Sequence, residues 1–156
     1  FLSTISNCAN REETWINKSI ISTYNTLHDL GYAHSIEVWE DKKLKGGLYG
    51  VAIGKVFFAE SMFSTSSNGS KLALIALMGT LALSQFLLLD VQFLTDHLRT
   101  MGAKEISRAL FLNLIKKSSS EKVQFNEPSS TIIDEMLINK AEMKSLVGIS
   151  KLKHQI

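Results

Sequence analysis

Three polar side chains with largely apolar neighbours could support chemistry in this sequence: Glu60, Asp90 and Gln92. Glu60 lies among phenylalanine and methionine residues, where burial of an unpaired carboxylate would be costly. Asp90 and Gln92 follow three consecutive leucines. If neighbouring strands carry these residues, a carboxylate can orient the glutamine amide or receive a proton from an amine. The alternative is a buried polar group that only fixes the register of the strands.

Apolar side chains flank this polar trio and could form a wall that accepts a hydrophobic group. These flanking residues are Leu48, Phe57, Met62, Leu74, Leu77, Leu81 and Leu89. If the strands are neighbours, the pattern permits proton transfer next to an apolar recognition surface, and otherwise the polar groups only fix strand register.

Other kinds of catalytic site are not indicated by the residue spacing. The four histidines are scattered, and none stands at ligand spacing from Cys, Asp or Glu, so no metal site is expected. Cys8 is the single cysteine, which favours a reducing compartment, and it is interpreted as a small buried residue. Nucleophile-elbow, phosphate-loop and dinucleotide-glycine motifs are missing from the sequence, and no cofactor is expected.

Strands are predicted to position the trio. Residues 34–64 show alternating hydrophobicity interrupted by polar or glycine turns, which predicts an antiparallel meander of three strands with Glu60 on the third. Residues 87–92 predict an interior strand with Leu89 and Val91 on one face, and Asp90 and Gln92 on the other.

Helices are expected around these strands. Residues 1–16 are predicted to be irregular, whereas Asn17 should cap a helix that ends at Gly31. A largely buried helix is predicted from residue 68 to about 84, followed by two short helices over residues 96–101 and 108–117, with a brief strand at 104–106 between them. The mixed order indicates a layered α/β or α+β fold.

Composition and length are typical of one ordinary domain. The chain has 156 residues, of which 45% are hydrophobic, and a net charge of +2, which permits contact with phosphate without requiring it. We expect one domain over residues 1–117 and a partly helical tail over 118–156. In that tail, residues 132–146 could form an amphipathic helix that packs on the domain or on a partner.

One long uncharged stretch, residues 72–89, reaches the lower limit of transmembrane length. Gly79 and Thr80, and then Ser84 and Gln85, interrupt its apolar run. The stretch is therefore predicted to be a helix followed by a buried strand, with no membrane span.

Six motifs in uninterrupted order resemble those of the leucyl/phenylalanyl-tRNA protein transferase family. They are His-Ser-Ile-Glu-Val-Trp-Glu, Gly-Gly-Leu-Tyr-Gly-Val-Ala, Glu-Ser-Met-Phe-Ser, Ser-Asn-Gly-Ser-Lys-Leu-Ala-Leu, Leu-Asp-Val-Gln-Phe-Leu-Thr-Asp-His-Leu and Met-Gly-Ala-Lys-Glu-Ile-Ser-Arg. The resemblance extends over residues 14–114, and such a series is far more specific than one short pattern.

The resemblance implies a GNAT-type acyltransferase fold, with a mixed sheet, an antiparallel meander and flanking helices. It also implies the reaction, transfer of leucine or phenylalanine from the 3′ end of aminoacyl-tRNA to a protein with an N-terminal Arg or Lys, which marks that protein for degradation. A cytoplasmic location is expected, with an organelle matrix or stroma as the alternative.

By resemblance, Asp90 and Gln92 match the catalytic Asp-x-Gln pair of the family, and Glu60 matches its acidic residue in Glu-Ser-Met-Phe-Ser. Trp15 and Phe57 match aromatic positions near the terminal adenosine of the tRNA. The positions that match the aminoacyl side-chain pocket are Leu48, Met62, Leu74, Leu77, Leu81 and Leu89. Leu77 and Leu81 stand where some family members have phenylalanine.

The resemblance also implies an amino-terminal domain that these residues do not contain, and the tail has no match. An alternative is therefore a non-catalytic relative that serves as a structural subunit of a larger assembly. A third hypothesis, an acetyl-coenzyme A enzyme, lacks an obvious pyrophosphate loop before Asn68. Lys71, Arg99 and Arg108 could contact phosphate or could be ordinary solvated charges.

Overall fold

The computed structural model describes residues 1–118 and 123–125, which contain five helices and four strands. In chain order they are α1 Leu2–Ala9, α2 Lys18–Asp29, β1 Ala33–Glu40, β2 Lys43–Ile53, β3 Val56–Ser64, α3 Gly69–Leu83, β4 Leu88–Asp90, α4 Asp96–Thr100 and α5 Arg108–Ser118. The mixed α/β class predicted from the sequence is confirmed. No helix within the described ranges is long and apolar enough to cross a membrane.

The strands form one sheet in the order β1-β2-β3-β4. β1 pairs antiparallel with β2, from Ala33 opposite Val51 to Glu40 opposite Lys43. β3 and β4 pair in parallel, which requires a crossover connection, and α3 supplies it. The predicted meander is present, and Asp41, Lys42 and Gly54 have positive φ values in its two tight turns.

The chain divides into two compact units, each assembled from separate segments. The first unit contains Phe1–Ala52 and Glu60–Leu74, and the second contains Ile53–Ala59 and the described residues from Ile75 onward.

The first unit contains a hydrophobic cluster of Ile5, Cys8, Ile16, Tyr49 and Phe63. In this unit α1 packs against α2, and α2 packs against β1. The prediction of an irregular segment before residue 17 is wrong for residues 2–9, which form α1 and bury Ile5 and Cys8 on one face. Residues 10–16 form no helix or strand, as predicted.

A close approach of two backbones joins β2 to the start of α3 in the first unit. An added Cβ at Gly46 would lie 2.4 Å from the backbone carbon of Gly69. An added Cβ at Gly69 would lie 2.5 Å from the carbonyl oxygen of Lys45. Glycine is therefore required at both positions by space alone.

The second unit has its own hydrophobic cluster, in which Val56 of β3, Leu88 of β4 and Phe111 of α5 are buried together. Ile106 packs against this cluster although it belongs to no strand. The prediction of a strand at residues 104–106 is therefore wrong. The segment packs an apolar side chain without joining the sheet.

Helix boundaries follow the predicted caps. The side chains of Asn17, Thr95 and Ser107 accept hydrogen bonds from the amides of Ile20, Leu98 and Leu110, respectively. Gly31 follows α2 with φ of +80°, as expected after a helix. The predicted tail lies outside the described residues except for residues 118 and 123–125, and so does the predicted helix at 132–146.

Candidate active site

Asp90 and Gln92 are held together by a turn at the end of β4. Asp90 is 6% exposed and lies opposite Phe58 in the parallel pair of β3 and β4. One of its carboxylate oxygens, Oδ1, accepts a hydrogen bond of 2.9 Å from the backbone amide of Gln92. This short contact across two residues is an Asx turn.

The turn also directs the side chain of Gln92. Its Nε2 donates a hydrogen bond of 3.0 Å to the carbonyl oxygen of Ala59, the residue that precedes Glu60 in the chain. Gln92 has φ of +60° and is exposed. The predicted strand through residue 92 is therefore wrong, because β4 ends at Asp90 and a left-handed residue follows. A turn, not strand alternation, brings the two polar groups together.

Glu60 lies on β3 in the first unit, where it is half-buried. The hydroxyl group of Tyr24, on α2, hydrogen-bonds to the Glu60 carboxylate. Burial first, and then this carboxylate, raise the pKa of Tyr24 well above its ordinary value. The phenol therefore stays protonated at neutral pH and donates to Glu60. Burial of an unpaired carboxylate would be costly, and Tyr24 supplies Glu60 with a hydrogen-bond partner.

The sequence pattern does not identify Tyr24 as a site residue, because helical spacing places it among the apolar residues of α2. The available signal was its hydroxyl, since a tyrosine on a packed helix face normally needs a hydrogen-bond partner. Tyr49 packs edge-on against Tyr24 with ring centroids 5.2 Å apart. Its own hydroxyl is buried and has no hydrogen-bond partner within the described part of the chain.

Cys8 lies in the same unit and is 1% exposed, which agrees with its interpretation as a small buried residue. Burial raises the pKa of its thiol, although a hydrogen bond with Ser61 and the positive charge of Arg11 oppose this effect. The Arg11 guanidinium donates a hydrogen bond to the carbonyl oxygen of Met62. Its nearby charge also lowers the pKa of Tyr49, but burial dominates and the net shift is upward.

The residues expected to line an aminoacyl pocket are mostly interior. In the first unit Leu48 and Leu74 are fully buried, and Met62 is half-buried. In the second unit Leu77, Leu81 and Leu89 are each no more than 5% exposed.

The two aromatic residues predicted to lie near the adenosine differ in exposure. Trp15 is 53% exposed, so part of its indole surface is available for stacking. Phe57 is fully buried, and its ring centroid lies 5.8 Å from that of Phe125.

The other basic candidates lie on the surface. Lys71, Arg99 and Arg108 are exposed, and Arg99 forms an ion pair with Asp96 at 3.9 Å. Across the residues described here, no group of three or more His, Cys, Asp or Glu side chains is arranged to hold a metal ion.

Comparison with known proteins gives a consistent result. A family model described as leucyl/phenylalanyl-tRNA protein transferase matches residues 1–116. The leucyl/phenylalanyl-tRNA protein transferase of Dinoroseobacter shibae is 51% identical over 122 residues, which are 78% of this chain and 55% of that protein. The Roseobacter denitrificans protein of the same name is 47% identical over 128 residues, covering 82% of this chain and 61% of that protein.

The Zymomonas mobilis protein of that name is 54% identical over 110 residues, covering 70% of this chain and 41% of its own length. The chain thus spans between 41% and 61% of the length of these three curated relatives. The Asx turn at Asp90 and the Tyr24–Glu60 hydrogen bond both lie within the matched region. The chain belongs to the leucyl/phenylalanyl-tRNA protein transferase family.

Proposed function

We infer that the chain catalyses transfer of leucine or phenylalanine from the 3′ end of aminoacyl-tRNA to the N-terminal Arg or Lys of a protein. Family membership and the names of the relatives support this proposal. The single observation that carries it is the pair of hydrogen bonds at Gln92. Its backbone amide donates to the Asp90 carboxylate in the Asx turn, and its side-chain amide donates to the Ala59 carbonyl. Two such hydrogen bonds hold a side chain in one orientation, as a group at a reacting centre requires.

The reaction is aminolysis of an ester that is already activated. The α-amine of the acceptor must be neutral to attack the ester carbonyl, and an oxyanion forms transiently at that carbon. The new carbon–nitrogen bond replaces the carbon–oxygen bond to the ribose. The amine loses a proton, and the ribose oxygen that leaves gains one. The enzyme therefore has to orient the amine, accept or relay its proton and stabilise the oxyanion.

We assign these tasks to the polar trio. Asp90 orients Gln92 and the incoming amine, because its carboxylate is fixed by the turn. Gln92 acts at the reacting centre, with its amide oriented by Ala59. Glu60, with the protonated Tyr24 hydroxyl as its partner, binds the cationic side chain of the acceptor or joins the same network.

Recognition of the donor is assigned to the apolar residues and to Trp15. We assign the exposed indole of Trp15 to stacking on the terminal adenosine. Phe57 matches the second aromatic position of the family and is fully buried. We assign binding of the aminoacyl side chain to the apolar positions that match the family pocket, which are Leu48, Met62 and Leu74 in the first unit and Leu77, Leu81 and Leu89 in the second.

The proposal extends to the cellular role. A GNAT-type acyltransferase core in the cytoplasm would attach the new residue to proteins that are then degraded. The alternative of a non-catalytic structural subunit has no observation in its favour, and it predicts that the protein transfers nothing.

The test is transfer of radiolabelled leucine from charged tRNA to a peptide that begins with Arg, using the full-length protein. Transfer is expected to that peptide and not to a matched peptide that begins with Glu. The Asp90→Ala variant should lose transfer, whereas Asn113→Ala, an exposed change on α5, should retain it. If the wild-type protein transfers no leucine or phenylalanine, the proposal is wrong.

A further inference from the structure

A polar cavity of about 350 Å³ lies within the first unit, away from the assigned catalytic pair in sequence. Three elements form it: the end of α1, the end of β3 and the first turn of α3. Its lining consists of Asn7, Asn10, Arg11, Met62, Phe63, Ser64, Thr65 and Ser70. Its volume falls at the lower end of the range for small-molecule sites, about 300 to 1,000 Å³.

The charge of this cavity selects its ligand. Among the residues that the structure describes, Arg11 is the one ionised residue in the lining, and no carboxylate lines the cavity. Glu12 and Glu13 follow Arg11 in the chain but are exposed and lie outside the lining. A cavity of this kind disfavours the cationic N-terminus of an acceptor peptide and favours an anionic group.

The wall of the cavity is fixed by hydrogen bonds. Ser64 donates its hydroxyl hydrogen to the carbonyl of Ser66 and accepts a bond from the amide of Ser70. The Thr65 hydroxyl lies 3.2 Å from the carbonyl oxygen of Lys45, to which it donates. The wall is therefore held in place without a ligand.

Arg11 is held in this wall by a hydrogen bond, and its guanidinium has further N–H donors with which to bind a ligand. Within residues 1–118 and 123–125 its guanidinium donates one hydrogen bond, to the carbonyl of Met62, whereas a guanidinium has five N–H groups in a planar fork. That fork matches the geometry of two phosphate oxygens. The side chain of Asn10 is exposed beside it and can add a polar contact to a ribose or phosphate oxygen.

We propose that this cavity binds a phosphodiester group of the tRNA acceptor end, with Arg11 as the residue that contacts the phosphate. The proposal rests on the proposed function, because it takes its ligand from the donor substrate. It assigns affinity for the tRNA to Arg11, a residue that has no role in the proposed aminolysis.

The decisive measurement is the salt dependence of tRNA binding by the full-length protein. Loss of one phosphate contact lowers the slope of log K against log salt by about 0.7 to 1. We expect this change in Arg11→Gln, with binding weakened about tenfold at 0.15 M salt. Arg11→Lys should keep the slope. Lys18→Gln removes an exposed cation outside the cavity and should leave both slope and affinity unchanged.

A second variant covers the outcome in which Arg11→Gln fails to fold. Asn10→Asp places a carboxylate in the cavity and leaves Arg11 in position, so it should weaken tRNA binding about tenfold. Asn113→Asp is the matched control on the exposed face of α5 and should bind normally. Titration with inorganic phosphate distinguishes a tRNA subsite from a site for free phosphate. Saturable phosphate binding with a Kd below about 1 mM would identify a site for free phosphate and overturn the proposal.

The inference and the proposed function fail in different ways. If the wild-type protein transfers leucine while Arg11→Gln and Asn10→Asp keep the wild-type affinity and salt slope, only the phosphate site is wrong. Transfer from a short donor, an aminoacyl ester of adenosine without further phosphates, should be equal in wild type and Arg11→Gln. A loss of that transfer would place Arg11 in the catalytic site and overturn the inference.

Discussion

The backbone amide of Gln92 donates a hydrogen bond of 2.9 Å to the carboxylate of Asp90, and Gln92 lies in the left-handed region with φ of +60°. The carboxylate thus has a structural task as well as the proposed chemical one. These two tasks can be separated, because asparagine can form the same Asx turn without a charge.

Asp90→Asn is expected to keep the turn and to lose the charge. The turn should keep the stability within about 1 kcal/mol of the wild type, whereas kcat for transfer should fall about 100-fold or more. Asp90→Ala should lose both. Urea unfolding and single-turnover transfer are the measurements, and near-normal transfer by Asp90→Asn would show that the charge is dispensable.

Tyr24→Phe is expected to weaken acceptor binding. Removal of the hydroxyl leaves the half-buried Glu60 without one of its donors, which costs about 1 kcal/mol of stability. The KM for a peptide that begins with Arg should rise about three- to tenfold, with a smaller change in the KM for charged tRNA. Tyr32→Phe, at an exposed tyrosine after α2, is the control. An equal change in both KM values would contradict the assignment of Glu60 to the acceptor.

Glu60 and Gln92 are proposed to act in one reaction, and a double-mutant cycle tests this. Glu60→Gln and Gln92→Ala should each slow transfer, and the double variant should be slower by less than the product of the two effects. The coupling free energy is expected to be about 1 kcal/mol or more. Strict additivity of the activation free energies would indicate that the two residues act independently.

Gly46→Ala is expected to destabilise the protein strongly. The new Cβ would lie 2.4 Å from the backbone of Gly69, and neither backbone can move without disturbing β2 or α3. We expect a loss of about 3 kcal/mol in the free energy of unfolding. At Gly31 an added Cβ meets nothing within 4 Å, so Gly31→Ala should cost only the left-handed backbone penalty, about 1 to 2 kcal/mol. A smaller loss at Gly46 than at Gly31 would refute the steric argument.

His34 should make the protein sensitive to mild acid. Burial first, and then the charge of His28, lower the pKa of His34, although a backbone hydrogen bond with Gly31 opposes them. Because the folded pKa lies below the unfolded value, the stabilisation is present above about pH 6.5 and is lost as pH falls through the folded pKa. Urea unfolding at pH 7.5 and pH 5 should show a smaller acid loss in His34→Gln than in the wild type. An identical loss would remove His34 as a cause.

Local signals in the sequence were sufficient for most elements of the fold. Capping residues at Asn17, Thr95 and Ser107 marked three helix starts, and alternating hydrophobicity marked the meander. The failures occurred where packing overrides local pattern. Residues 2–9 form α1 without a side-chain cap. Ile106 packs its apolar side chain against the cluster that contains Phe111 but does not belong to a strand.

The candidate site was less accessible to sequence reasoning. A period of two correctly separated Leu89 from Asp90, but it could not foresee that the strand stops at Asp90 and that Gln92 turns back to Ala59. Such a turn depends on a single positive φ at a residue other than glycine, for which composition gives no signal. The partnership of Tyr24 with Glu60 joins residues far apart in the chain, and neither has a local pattern that names the other.

The interleaving of the two compact units limits how this polypeptide can be divided. Each unit draws on chain segments from both sides of β3, so a cut within β3 divides both units. An engineer who wished to study one unit alone would have to reconnect its segments with a designed linker, because no contiguous stretch of the gene encodes either unit.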